Sequence, residues 1–178
     1  MPRNVEIKAR IAGVEALLPV ACALADDVPQ AIEQDDTFFV CAHGRLKLRD
    51  FGNGQGELIH YHRADTDGPK LSNYVRVVTH DPAALREALA RALGVLGRVR
   101  KQRLLLLAGQ TRIHLDRIDG LGEFLEIEVV LRDDQTEAEG AAIAEALLQQ
   151  FGVAAEQRLT GAYLDMLASS SRGMAAAK

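Results

Sequence analysis

The sequence predicts an α+β protein built on a closed antiparallel β-barrel of about eight strands, with helices packed on its outside. Three observations predict it. Runs with the period-two alternation of strands recur along most of the chain. Most consecutive runs are joined by short turns, which favours antiparallel pairing. A helical segment rarely separates consecutive runs, which disfavours a parallel α/β sheet. The 178 residues suit one domain with a sizeable core. That domain is drawn over residues 1–168, and residues 169–178 read as a flexible tail.

The elements follow in order. Asn4 to Ile11 alternates polar and apolar side chains, as a half-buried strand does. Gly13 to Asp27 is rich in Ala and Leu and reads as a helix that Pro19 should kink or start late. Gln30 to Ala42 carries β-formers, His43-Gly44 turns the chain, and Arg45 to Phe51 alternates again. Gly52-Asn53-Gly54-Gln55-Gly56 is a turn that leads into a strand over Glu57 to Arg63. Ala64 to Lys70 reads as a polar loop and Asn73 to Thr79 as a strand. Asp81 caps a helix with Pro82 at its first position, and Gly94 ends it after Leu93. Strands are read over Val95 to Leu107, Thr111 to Ile118 and Gly122 to Leu131, the first pair turning at Ala108-Gly109-Gln110. Thr136 to Phe151 is an amphipathic helix with Thr136 and Glu139 at capping-box spacing, and Thr160 to Ala168 is a short helix.

Composition excludes several classes. A formal net charge of −4 gives no global basic field for nucleic acid. No apolar run is long enough to span a membrane, and the start lacks the apolar core of a signal peptide, so a cytoplasmic location is expected. Cys22 and Cys41 lack metal or redox spacing and are read as buried free thiols. The glycine-rich turn lacks the Lys-Ser/Thr and following helix of a P-loop.

The strand faces carry the functional reading. Asn4, Glu6, Lys8 and Arg10 share one face, as do Arg45, Lys47 and Arg49. Tyr61 pairs with Arg63, Tyr74 with Arg76, and Lys101 with Arg103. Arg112, His114 and Asp116 share a face, and so do Phe124, Glu126 and Glu128. His60 and His62 fall on the opposite face from Tyr61 and are read as outward. A solvated face usually mixes both signs. Here basic residues cluster on the middle strands and acidic ones at Glu6, Asp116, Glu126 and Glu128. If the charged faces converge inside the barrel, unpaired charge there is costly and needs water and a polyanion as partners. Arg and Lys grip phosphate oxygens, and clustered carboxylates bind Mg²⁺ or Mn²⁺. A metal–polyphosphate complex is the predicted guest.

These residues resemble the CYTH family, the triphosphate tunnel metalloenzymes, which include class IV adenylyl cyclases, thiamine triphosphatases and inorganic triphosphatases. The resemblance runs from Asn4 to Leu167. Asn4-Val5-Glu6-Ile7-Lys8 is similar to the opening Glu-x-Glu-x-Lys motif, and Gln34-Asp35-Asp36-Thr37-Phe38-Phe39 to the second strand. Gly44 to Arg49 resembles the basic third strand, Lys101-Gln102-Arg103 the later Lys-x-Arg strand, and Asp116 with Glu126 and Glu128 the acidic metal strand and its approach. The resemblance implies metal at Glu6, Asp116, Glu126 and Glu128. It implies phosphate contacts from Arg10, Arg45, Lys47, Arg49, Lys101, Arg103 and Arg112, with Arg63 and Arg76 as further ones. Lys8, with Glu6 beside it, would be catalytic, orienting a phosphate or a water. Asn4 departs from the motif: it offers a neutral carbonyl oxygen where a carboxylate is usual, which weakens any metal site it joins.

Two chemistries fit such a site. One is hydrolysis of a small triphosphate at its terminal phosphorus; the other is cyclisation of ATP to cyclic AMP with loss of pyrophosphate. Hydrolysis is preferred because it demands less of the site. A non-catalytic triphosphate or polyphosphate binder is the third reading, and a lipocalin-like carrier is disfavoured because its interior should be apolar. The expected partner is a small-molecule triphosphate, with neither nucleic acid nor membrane; the oligomeric state is left open, a homodimer included.

Overall fold

The structure is a computed structural model that describes residues 3–63 and 68–176, with the side chains of Arg63 and of residues 170–176 outside the description. Eight strands form the barrel: β1 Arg3–Arg10, β2 Gln30–Phe39, β3 Arg45–Asp50, β4 Gly56–Arg63, β5 Lys70–Thr79, β6 Val95–Ala108, β7 Thr111–Ile118 and β8 Gly122–Val130. They neighbour one another in the order β5-β4-β3-β2-β6-β7-β8-β1. β1 also pairs with β5, residues 3–6 with residues 70–73, so the ring closes at that seam, and residues 74–79 of β5 run on beyond the last β1 pair. Every pairing is antiparallel. A two-residue strand, β9 Arg158–Leu159, adds to β1 at Lys8 and Ala9; so short a run carries no period for sequence reading to detect.

Helices α1 Val14–Leu24, α2 Pro82–Leu93 and α3 Glu137–Gln150 lie against the outside, and α4 Tyr163–Ala176 packs on β6 with its first residue in the cavity lining. α1 runs through Pro19 without interruption of its span. Asp81 accepts from the Ala84 amide, and Thr136 and Glu139 form the reciprocal capping box. α4 continues to Ala176, past the Ala168 at which the apolar pattern ends. Among the described residues no helix is long and apolar enough to cross a membrane. Cys22 is exposed and Cys41 only half-buried, which corrects the expectation of buried thiols: α1 turns Val14 and Ala21 to the core, and Cys22, one residue on, faces outward.

The apolar core lies outside the ring. Val5 and Ile7 of β1, Ile113 and Leu115 of β7, and Leu125, Ile127 and Val129 of β8 pack with Val14 and Ala21 of α1 and with Ala144 and Leu148 of α3. The inward faces are thereby left to the polar residues. Gly140 sets how closely α3 approaches. A Cβ there would lie 2.5 Å from Leu131 Cδ2 and 2.9 Å from Val5 Cγ2. Alanine would raise helix propensity by up to about 1 kcal/mol, yet overpacking against a stiff β-branched neighbour costs about 1–3 kcal/mol. Gly140→Ala is therefore expected to lower the urea midpoint with an unchanged slope.

A second apolar cluster, of Phe38, Val99, Ile118, Phe124 and Tyr163, caps one end of the barrel from inside, with Leu164 and Leu167 of α4 packed against it. Leu164 occupies the space a side chain at Gly97 would fill. Arg45 Nη2 donates to Asp165 Oδ2 at 2.8 Å, tying the same helix to β3.

Candidate functional site

Inward-facing residues of all eight strands line one cavity of about 950 Å³, its open mouth included. Strand order divides the lining into walls. β3, β2 and β6 are neighbours, and they bring Lys47, Arg49, Lys101 and Arg103 side by side. β8 and β1 are neighbours on the far side of the ring, and their register sets Glu6 beside Glu128 and Lys8 beside Glu126. Glu57 and Arg76, 3.2 Å apart, join the lining from β4 and β5.

The walls are knitted by ion pairs. Arg103 binds both oxygens of Asp116 at 2.6 Å and reaches Glu126 Oε2 at 2.7 Å. Lys8 Nζ lies 2.5 Å from Glu126 and 3.4 Å from Glu6. His114 stands between the acids, Nδ1 3.5 Å from Glu126 and Nε2 3.8 Å from Glu128. Glu128 accepts from Asn4 Nδ2 and from Arg112 Nη1, the latter at 3.2 Å. On the basic wall Asp36 accepts both the Nε and Nη2 hydrogens of Arg49 at 2.8 Å and the Lys47 ammonium at 2.9 Å.

Burial acts against each of these charges, and the partners decide the outcome. It pushes the Glu126 carboxyl up, but Lys8, Arg103 and the nearby His114 override it and hold the group well below the usual range. The Asp36 carboxyl is likewise held well below its usual value, by Arg49, Lys47 and Lys101 against burial. Burial and the Arg103 charge keep His114 below the ordinary imidazole value, so its ring is neutral near pH 7. Lys101 is pushed well below the usual lysine range by burial and by Arg103. Burial and Asp116 raise the Tyr163 hydroxyl well above the usual phenol value, so it stays protonated.

Ten of the residues expected at the site line the cavity together: Glu6, Lys8, Lys47, Arg49, Arg76, Lys101, Arg103, Arg112, Glu126 and Glu128. Three stand elsewhere. Arg10, at the end of β1, donates to the Leu121 carbonyl at 2.7 Å and stacks 4.7 Å over the Phe124 ring instead of facing the cavity. Arg45 turns to α4 at Asp165. Asp116 has no exposed surface, and Arg103 takes both its oxygens, with the Tyr163 hydroxyl 3.4 Å away. Asp116 thus stands behind Arg103 and outside the cavity lining in this arrangement. The Arg63 side chain lies outside the described residues, as do residues 64–67 of the polar loop. His60 and His62 are exposed on the outer face.

Sequence reading missed Asp36 and Glu57 as lining residues. Strand parity contained both signals: Asp36 shares the face of Phe38, and Glu57 that of Tyr61.

Fold and site together define an antiparallel β-barrel whose interior sets lysines and arginines on one wall across from carboxylates on another. The chain belongs to the CYTH domain family, whose model matches residues 2–163. No curated protein matches the sequence. Among solved structures, the PH1012 protein from Pyrococcus horikoshii is similar at 22% identity and a TM-score of 0.80, over 91% of this chain and 98% of that one. A candidate adenylate cyclase from Vibrio parahaemolyticus is similar at 21% identity and a TM-score of 0.74, over 93% of this chain and 97% of its own. HpAC1 from Hippeastrum, a candidate adenylyl cyclase described as having a dominant triphosphatase activity, matches at 16% identity and a TM-score of 0.68, over 96% of each chain. At these identities the likenesses establish the fold.

Proposed function

We propose that the protein is a metal-dependent phosphohydrolase that cleaves a small inorganic or organic triphosphate inside the barrel. The observation that carries this reading is the opposition, across one cavity, of Lys47, Arg49 and Lys101 on β3 and β6 to Glu6 and Glu128 on β1 and β8, with Arg103 bridging from the basic side to Glu126. A triphosphate chain carries several negative charges, which the basic wall complements through charge-assisted hydrogen bonds.

The carboxylate wall fits a hard divalent cation, Mg²⁺ or Mn²⁺. Glu6 and Glu128 are register partners on adjacent strands, and the Asn4 amide stands beside Glu128. The carboxylate selects the NH₂ end of that amide, which leaves Asn4 Oδ1 buried with no hydrogen-bond partner. An orphaned oxygen next to two carboxylates is a donor set suited to such an ion, which commonly uses one or two carboxylates together with waters and substrate phosphates. Among the described residues no group of three or more His, Cys, Asp or Glu side chains is placed to hold a metal ion, so Glu6 and Glu128 would need oxygens from water and substrate to complete the set. When bound, the cation neutralises charge on the phosphates. The chain's own residues do the rest. Lys47, Lys101 and Arg103 hold phosphoryl oxygens and stabilise charge as it shifts to the leaving diphosphate. Lys8, at the seam between Glu6 and Glu126, orients the attacking water or the terminal phosphoryl group.

A product assay tests this. ATP, inorganic triphosphate and thiamine triphosphate are offered with Mg²⁺ or Mn²⁺ to the wild type and to Lys8→Met. Orthophosphate from at least one substrate, lost on chelation and reduced by on the order of a hundredfold or more in Lys8→Met, is the expected outcome. Cyclic AMP with pyrophosphate would establish the cyclase reading, which the Vibrio parahaemolyticus neighbour's description favours. Triphosphate binding without turnover would leave a binder.

A further inference from the structure

Asp36 has no task in the reading above, yet it is a carboxylate set among the cations of the basic wall. It is 1% exposed and stands on β2, four strands from β1 in either direction round the ring. Arg49 from β3 meets it with two parallel hydrogen bonds, and the Lys47 ammonium, also from β3, lies 2.9 Å away. Lys101 reaches toward it from β6 on the other side, 3.8 Å from Oδ2. Three cations from the two flanking strands thus converge on one carboxylate of the strand between them.

Charge explains why such a residue is useful. Three partly or fully buried cations gathered at one point repel one another and resist desolvation. One carboxylate among them relieves the repulsion and still leaves an excess of two positive charges for a polyanion. The bidentate contact fixes the plane of the Arg49 guanidinium and leaves its other terminal nitrogen for a further acceptor. We propose that Asp36 is a positioning residue that holds Lys47, Arg49 and Lys101 together as one preorganised polyphosphate grip. The inference rests on the proposed triphosphate substrate.

Asp36 also opposes loss of the lysine protons. Burial and Arg49 lower Lys47, against Asp36 and the more distant Glu126, while the rings of Phe38 and Tyr61 lie 5.7 Å from its ammonium. Lys101 is lowered by burial, Arg103 and Arg49, with Asp36 and Asp116 acting the other way and the Tyr163 ring 5.8 Å away. Without the Asp36 charge both lysines deprotonate at lower pH, and the grip weakens first on the alkaline side.

Calorimetric titration with inorganic triphosphate tests this at about pH 6.5 and about pH 8.5, on wild type, Asp36→Asn and Asp36→Glu. Asp36→Asn is expected to bind on the order of a hundredfold more weakly at the higher pH and with a clearly smaller loss at the lower one. Asp36→Glu keeps the charge but displaces it by one methylene; it should lose about tenfold, equally at both pH values. Unchanged or tighter binding by either variant overturns the inference. So does an equal loss at both pH values in Asp36→Asn with no recovery in Asp36→Glu, which would mark a packing role. If Asp36→Asn does not fold, the Asp36→Glu result decides alone. A wild type that binds no triphosphate sinks the functional reading itself, an outcome distinct from any difference between variants.

Discussion

Arg103→Met is expected to destabilise the fold by about 3–5 kcal/mol near neutral pH, the largest stability effect of any single change to the cavity. Arg103 is the sole cation on both oxygens of Asp116 among the contacts described, and it also shares Glu126 with Lys8. Methionine approximates the aliphatic stem and removes the charge. Glu126 keeps Lys8 and His114, but Asp116 keeps the Tyr163 hydroxyl and the more distant Lys101 charge. The sign of the pH dependence follows. In the wild type Arg103 holds the Asp116 carboxyl below its ordinary value against burial. That contribution is present above the unfolded-state value and disappears as pH falls through the folded one. In the variant burial acts unopposed by Arg103, the acid form is favoured, and the deficit shrinks as pH falls toward about 4. Urea unfolding at two pH values measures this. A deficit independent of pH would mean that lost packing, not stranded charge, is the cause. Arg103→Met combined with Asp116→Asn should recover part of the loss, because the neutral amide no longer needs the missing guanidinium.

That pair also shows how far the sequence could be read. The Ala108-Gly109-Gln110 turn sets Ala108 opposite Thr111, and counting back along the hairpin sets Arg103 opposite Asp116. The pairing was accessible from the hairpin alone, although counting carboxylates without their cross-strand neighbours passes over it. Glu6 beside Glu128 was not accessible in that way, because β1 and β8 meet only when the ring closes. Inward faces were legible wherever alternation ran through mid-strand, as at Lys47, Arg49, Lys101 and Glu126. They failed at the ends. Arg10 and Arg45 have the right parity but sit at strand termini, where Leu121, Phe124 and Asp165 lie within reach of a long side chain. Asp36 was hidden by its neighbour. Asp35 and Asp36 are adjacent acids on opposite faces, and Asp35 turns outward to Arg98 and Arg100.

The largest expected effect on turnover belongs to Glu128→Gln, on the order of a thousandfold, with the fold retained. Glu128 is register partner to Glu6, accepts from Asn4 and Arg112, and lines the cavity. Glutamine keeps the shape and loses the charge, so the acidic pair with Glu6 becomes a single carboxylate. Manganese titration followed by electron paramagnetic resonance separates cation binding from catalysis. The expected result is weaker Mn²⁺ binding and loss of the rise in melting temperature that Mn²⁺ gives the wild type. Wild-type Mn²⁺ affinity in Glu128→Gln would remove this wall as the cation site. Asn4→Glu moves the balance the other way. Asn4 now gives its NH₂ to Glu128 and buries an unpartnered oxygen at a cost of about 1–3 kcal/mol. A carboxylate there would face Glu128 as a like charge, so the metal-free variant should melt lower than the wild type and gain more from Mn²⁺. A variant that melts lower with no added response to Mn²⁺ would show that the Asn4 oxygen stands outside the cation's reach, leaving Glu6 and Glu128 to hold it.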